Sequence, residues 1–281
     1  MNPVVVLFGQ GRVPTDSPLL RADDLGAVRG DGVFETMHVR AGTPWLLDEH
    51  LQRMSISAQR LDLGLPPFED LAELARQACA EWSATEEGAL RLVCTRGSES
   101  GGNDPTVYAT IGRVTEVMKS LRTAGLSVMT LNLGVSVTAR ESAPWLLGGV
   151  KSLSYAMNMA CLREAARNGH DDVLWLSSDG YLLEGPTSTL LWRDGDQLLT
   201  TPTSTGVLAG TTARFLLDRA GQFGLTADTK LTTVEELAEA EGVWLASSVR
   251  GVVEVRAVDG TTRIPSSTTK ALQALAGHLV G

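Results

Sequence analysis

The chain has 281 residues, a formal net charge of -9, 43% hydrophobic and 20% charged residues. That is enough for two modest domains or one large α/β domain, with ample apolar material for a core. The acidic balance and the lack of any Lys/Arg-rich run exclude a phosphate-backbone footprint, so no nucleic-acid partner is expected.

In chain order, PVVVLFG reads as a strand, too short for a membrane span or a secretory segment. No membrane partner is therefore expected, and a cytoplasmic location is. DGVFETMHVRAGTPWLL reads as two strands joined at Ala41-Gly42. Leu47, Leu51, Met54, Ala58 and Leu61 then recur at helical spacing, with His50, Arg53, Ser57 and Arg60 on the opposite, polar face. A second helix follows Pro66-Pro67, with Glu69 and Asp70 in its first turn and Leu71, Leu74 and Ala78 on one face. ALRLVCTRG and TVYATIGRV read as strands around the loop SESGGNDP.

TEVMKSLRTAG is polar and reads as a connector, which puts a boundary near residues 115–124. The expected domains are 1–118, a smaller N-terminal α/β domain, and 119–281, a larger C-terminal domain. LSVMTLNLGVSV reads as a long strand. After Lys151 the spacing of Leu153, Met157, Ala160, Cys161 and Glu164 predicts a helix stopped by Gly169. DVLWLSSDGYLLEG and STLLWRDGDQLLT read as hairpins, the second turning at Asp194-Gly195, and GTTARFLLDRAGQFG as one helix ending at glycine. The three cysteines lack C-x-x-C spacing and the four histidines are scattered, so neither a disulfide framework nor a metal site is expected.

Three features bear on chemistry. Lysine is scarce, four residues against 20 arginines, yet Lys151 follows the apolar run LLGGV. A lysine there either snorkels over apolar neighbours or is a desolvated nucleophile that forms a Schiff base and shuttles protons. Glu184 ends the strand GYLLEG between Leu183 and Gly185. It is either a turn residue in water or a partly buried carboxylate that keeps a partner, such as a pyridinium nitrogen, protonated. Gly210, Thr211 and Thr212 open a helix, whose free N–H groups and hydroxyls make either a simple cap or an anion site.

The order of these features resembles the fold-type IV pyridoxal phosphate enzymes, which include branched-chain and D-amino acid aminotransferases and aminodeoxychorismate lyases. GDGVFET resembles the family's early strand, DEHLQRM its E-H-x-x-R helix, and KSLSYAMNMACLREAARNGHDDVLWLSSDGYLLEGPTSTLLW its lysine-to-glutamate segment. GVLAGTTAR and LASSVRGVVEVRAVDG are similar to later elements, so the likeness covers nearly the whole chain. It implies a two-domain α/β (α+β) architecture, the C-terminal domain being β-barrel-like. It also implies pyridoxal 5'-phosphate as cofactor, a small-molecule substrate and a homodimer in which SESGGNDP covers the partner's site. Lys151 would hold the cofactor covalently and Glu184 would bond its pyridine nitrogen. Arg53, Gly210, Thr211, Thr212 and Ser248 would serve its phosphate, with Gly148-Gly149 leaving room for its face.

Within the group, D-amino acid aminotransferases follow TRG with a Pro-Arg-x-His element and carry a tyrosine where this chain has Phe34; here TRG leads into SESGGNDP. The compact length and the short Lys151-to-Tyr155 interval resemble aminodeoxychorismate lyases, which release pyruvate and p-aminobenzoate in folate biosynthesis. On that reading Lys151 moves the proton, Thr36 assists it, Phe34 faces the substrate and Arg250 is either a substrate carboxylate clamp or a surface arginine. The alternative is a class IV aminotransferase acting on branched-chain or D-amino acids; a remote alternative is a non-catalytic protein retaining the fold.

Overall fold

A computed structural model describes residues 2–101 and 104–278. The chain divides into two compact units, Met1–Thr115 with Val150–Tyr155, and Glu116–Gly149 with Ala156–Gly281.

The first unit carries β1 (Val4–Leu7), β2 (Gly11–Val13), α1 (Leu25–Arg29), β3 (Gly32–Arg40), β4 (Thr43–Pro44), α2 (Leu47–Arg60), α3 (Phe68–Ala80), β5 (Gly88–Thr95) and β6 (Thr106–Arg113). Its six-stranded sheet runs β2-β1-β6-β5-β3-β4, every neighbouring pair antiparallel. Alternation puts Val33, Glu35, Met37 and Val39 of β3 on one face, all fully buried. Leu51, Met54 and Ala58 of α2 and Leu71, Leu74 and Ala78 of α3 join Val33, Met37 and Val39 in one core. Each large side chain so buried contributes about 1.5–3 kcal/mol.

Glu35 is the charged exception on that strand face. It explains one departure of α2 from expectation: His50, placed on its solvent side by pattern, is fully buried, as is Ser57, whose Oγ accepts from Lys151 N. A buried carboxylate requires donors, and the polar stripe of α2 supplies them.

Residues 150–155 extend this sheet beside β3. Phe34 N donates to the Lys151 carbonyl at 3.2 Å, Leu153 N to the Gly32 carbonyl at 2.9 Å, and Val33 bridges Ser152. Leu153 is therefore not helical, and the helix expected after Lys151 begins only at Ala156.

The second unit carries α4 (Glu116–Ala124), β7 (Leu126–Asn132), α5 (Ala139–Ser142), α6 (Ala156–Arg167), β8 (Asp172–Leu176), β9 (Thr189–Asp194), β10 (Gln197–Thr200), α7 (Thr211–Leu217), β11 (Thr226–Thr229), α8 (Val234–Ala238), β12 (Gly242–Ser247), β13 (Gly251–Val258), β14 (Thr261–Thr262) and α9 (Thr269–Leu275). Its mixed sheet runs β11-β10-β9-β12-β13-β7-β8, with β14 paired to β13. β11 lies parallel to β10, and β7 parallel to both β13 and β8. Leu126, Leu174, Leu190, Trp192, Leu245 and Val253 are among the buried side chains of its core.

Three expectations fail here for local reasons. The supposed connector is the helix α4: it contains no Gly or Pro before Gly125, Leu121 packs on the core, and buried Arg122 donates to the carbonyls of Val249 and Arg250 at 2.8 and 3.1 Å. The single helix expected from Gly210 stops at Leu217, because Arg219 (φ -119°, ψ 10°) leaves helical geometry before a short 3-10 turn, Ala220–Phe223. The long strand stops at Asn132. The two hairpins do form. The first folds back with Leu183 N donating to the Trp175 carbonyl at 2.8 Å and Trp175 N to the Glu184 carbonyl at 2.9 Å. In the second, Asp194 pairs with Gln197 across Gly195-Asp196. No helix among the described residues is long and apolar enough to cross a membrane.

Candidate active site

In the first unit the strand-like segment 150–155 fixes Lys151 beside β3. Lys151 N donates to Ser57 Oγ at 3.1 Å, so the backbone under the amine is anchored to α2 as well. Its Nζ donates to Tyr155 Oη at 3.1 Å and lies 4.5 Å from the centre of the Phe34 ring. Phe34 and Tyr155 meet edge to face, centroids 4.9 Å apart. Lys151 is half-buried, and its amine lies between two aromatic rings, 4.5 Å from the centre of Phe34 and 5.4 Å from that of Tyr155. Thr36, two residues on from Phe34 and half-buried, shares its side of β3.

On the opposite side of β3, Glu35 receives Arg53 through two parallel hydrogen bonds, Nε to Oε1 and Nη2 to Oε2, both 2.7 Å. His50 Nδ1 lies 2.7 Å from the same Oε2. A carboxylate only accepts, so Nδ1 carries the hydrogen. Burial pushes His50 down and outweighs the pull of Glu35, which leaves the ring neutral at neutral pH. Burial also pushes Glu35 up, but the charge of Arg53 and the hydrogen bonds from Arg53 and His50 prevail and hold its carboxyl well below the usual range.

In the second unit Glu184 is half-buried on the returning arm of the first hairpin. Leu208 N donates to both its oxygens at 3.1 Å, which fixes the carboxylate's orientation. Leu208 belongs to a segment held again at Gly206, whose carbonyl accepts from Gly149 N at 2.8 Å and Arg140 Nη1 at 3.2 Å. Arg140 is lowered by burial, opposed by the charge of Glu184. Its stem also explains Gly148: a Cβ there would lie 2.8 Å from Arg140 Cδ and 2.9 Å from Gly206 Cα. This glycine is required by packing within the unit.

Gly210 caps α7, and a Cβ on it would collide with Thr189 Oγ1. Thr211 and Thr212 are buried in the first turn, and Thr212 Oγ1 has no hydrogen-bond partner among the described residues. A buried orphan hydroxyl beside helix-start N–H groups is suited to an anion with several acceptor oxygens. Ser248 is buried just past β12, its carbonyl accepting from His278 Nε2 at 3.2 Å. Arg250 pairs through Nη1 with the fully buried Asp172 Oδ2 at 2.7 Å; its buried Nε and Nη2 have no hydrogen-bond partner among the described residues.

Within the first unit, then, Lys151 and Phe34 come together with Tyr155, and Arg53 with Glu35. Within the second, Glu184 is tied to the segment leading into Gly210. Sequence reading missed Glu35, His50, Arg140 and Leu208. The available signal for Glu35 was a lone carboxylate in the inward phase of an alternating apolar strand.

The amino-transferase class IV family matches the chain over residues 32–258. A bifunctional aminodeoxychorismate lyase / D-amino acid transaminase of Mycobacterium tuberculosis (strain ATCC 25618 / H37Rv) is 43% identical over 271 residues, 93% of either chain. An aminodeoxychorismate lyase of Bacillus subtilis (strain 168) is 27% identical over 262 residues, 90% of this chain and 86% of the relative. The PLP-bound form of a hypothetical aminotransferase from Mycobacterium tuberculosis has a TM-score of 0.94 at 39% identity, covering 98% of both chains. The chain belongs to the class IV aminotransferase family, the fold-type IV pyridoxal phosphate enzymes.

Proposed function

We propose that this protein is a lyase that converts 4-amino-4-deoxychorismate to p-aminobenzoate and pyruvate, a step of folate biosynthesis. The observation that carries this reading is the amine of Lys151 set between the Phe34 and Tyr155 rings. Flat aromatic walls beside the reacting nitrogen suit a flat cyclohexadiene ring. Likeness to relatives named as aminodeoxychorismate lyases supports the same reading.

In this proposal Lys151 would hold pyridoxal 5'-phosphate covalently. Glu184 would bond the pyridine nitrogen and keep a proton there. Arg53, Gly210, Thr211, Thr212 and Ser248 would serve the phosphate; the orphan hydroxyl of Thr212 fits that role. When bound, the cofactor supplies an electron sink that no side chain offers. Lys151 Nζ takes the proton from the amine-bearing ring carbon, the C–O bond on the adjacent carbon breaks, and Nζ returns the proton to the departing enolpyruvate, which becomes pyruvate. Tyr155 Oη holds Nζ on that path, and Thr36 assists from the same side of β3. Arg250, whose Nη1 is held by Asp172 at 2.7 Å, would grip a substrate carboxylate. Aromatisation of the ring drives the elimination.

A second reading, amino transfer from D-amino acids, is favoured by the name of the 43% identical relative, which couples both activities in one protein. The two reactions share the proton-moving lysine and differ in how substrate is held. A cytoplasmic homodimer is part of the proposal. It is supported by α6, which buries only Ala165 while exposing Met157 and Met159. Of the loop assigned to the partner's site, Gly102 and Asn103 lie outside the described residues.

Incubating the purified protein with aminodeoxychorismate and no oxo acid tests the reading. p-Aminobenzoate and pyruvate in equal amounts support it. No p-aminobenzoate, with rapid conversion of D-alanine and 2-oxoglutarate, replaces it with the aminotransferase reading.

A further inference from the structure

Glu35 is the least expected charge in the first unit. It stands on the inward face of β3, fully buried between Val33 and Met37. An ion pair in such a place is poor evidence of stabilisation, because desolvating both charges offsets most of their attraction, and an apolar pair of equal volume commonly does as well. Its geometry is what an apolar pair cannot supply. Both Arg53 bonds to Glu35 are 2.7 Å and bidentate, so the guanidinium is held in the plane of a carboxylate mounted on a strand. His50, one helical turn before Arg53, braces Oε2 at 2.7 Å, so the carboxylate is itself held. Strand and helix together remove the rotational freedom a long arginine normally keeps.

We propose that Glu35, braced by His50, is a positioning residue that aims the guanidinium of Arg53 at the phosphate of the cofactor. The inference rests on the assignment of Arg53 to that phosphate. Glu35 takes the Nε–Nη2 edge and so fixes the plane and direction of the guanidinium. It also cancels the charge of Arg53, so the arrangement gives up net attraction for orientation. That trade fixes the sign of a test. Glu35→Gln keeps the shape, restores a net positive charge and breaks the paired bonds, because an amide nitrogen opposes an N–H. If charge governs phosphate binding the variant binds phosphate more tightly; if orientation governs, more weakly.

The measurement is the ratio of dissociation constants for pyridoxal and pyridoxal phosphate, titrated by absorbance into cofactor-depleted protein. The ratio isolates the phosphate and is insensitive to general loosening of the fold. The expected result is a fall of about tenfold or more in Glu35→Gln, the scale of a misdirected charge-assisted hydrogen bond, and of about threefold in His50→Phe. The His50 variant carries the test if Glu35→Gln does not fold. An unchanged or increased ratio in the folded variants, with Arg53→Met reducing it, overturns the positioning role and leaves the Arg53 assignment intact. An unchanged ratio in Arg53→Met overturns that assignment and this inference with it.

Discussion

Lys151 Nζ donates to Tyr155 Oη at 3.1 Å, four residues along a segment that is strand-like at one end and enters α6 at the other. The hydroxyl gives the amine a fixed direction, while the Phe34 ring 4.5 Å away keeps bulk water from one side. Tyr155→Phe preserves the ring contact and removes only the hydrogen bond. Turnover should fall about tenfold through lost orientation of the amine. Reduction of the holoenzyme with borohydride should still label Lys151. A variant with full turnover would show that the hydroxyl has no part in proton movement.

Glu184 is oriented by Leu208 N through both oxygens. Glu184→Gln keeps size and one acceptor but removes the charge proposed to serve the pyridine nitrogen. Turnover should fall by roughly 10²–10³, as when a preorganised electrostatic partner is lost. The dissociation constant of pyridoxal phosphate should change much less. Equal losses of both, measured by steady-state rates and cofactor titration, would make the residue structural.

The carboxyl of Glu35 lies below its ordinary range in the folded state, although burial alone would raise it, because Arg53 and His50 prevail. A depressed carboxylate adds stability above the unfolded-state value and loses it as pH falls. The wild type should therefore lose stability between about pH 5 and pH 3 more steeply than Glu35→Gln, which binds no proton there. Urea midpoints across that range check it; parallel slopes would contradict it. Near neutral pH the variant should be about 3–5 kcal/mol less stable, since it strands a charge.

The part of the candidate site that the sequence suggests has local signals. Lys151 after an apolar run, Glu184 at a strand end and Gly210-Thr211-Thr212 before a helix each lie within a few residues. Glu35, His50 and Arg53 were not legible as a group. Their contacts join positions 15 and 18 apart across a strand and a helix, and the pattern of α2 alone assigns His50 to solvent. Burial of a polar helix face follows from its partner strand, which helical periodicity does not see. Leu153 was misread for a related reason: its apolar spacing continues the helix, but pairing with β3 claims its backbone first. α4 was read as a connector because composition was weighed above the absence of a helix breaker.

Burial pushes the Cys79 and Cys94 thiols up to about 12, while Cys161 is partly exposed. Iodoacetamide at about pH 8 should spare Cys79 and Cys94 in native protein, because the thiolate is the nucleophile. All three should react after denaturation. Peptide mapping that finds Cys79 or Cys94 labelled in the native protein would contradict the packing of the first unit.

The central claim is that the protein eliminates pyruvate by a proton transfer centred on Lys151. Its most direct test is aminodeoxychorismate labelled with deuterium at the ring carbon that loses its proton, given to the holoenzyme without any oxo acid. The expected result is p-aminobenzoate lacking that deuterium, one pyruvate per turnover, a primary isotope effect if this transfer limits the rate, and loss of all three in Lys151→Ala. Absence of p-aminobenzoate from active holoenzyme, or its undiminished formation by Lys151→Ala, would contradict it.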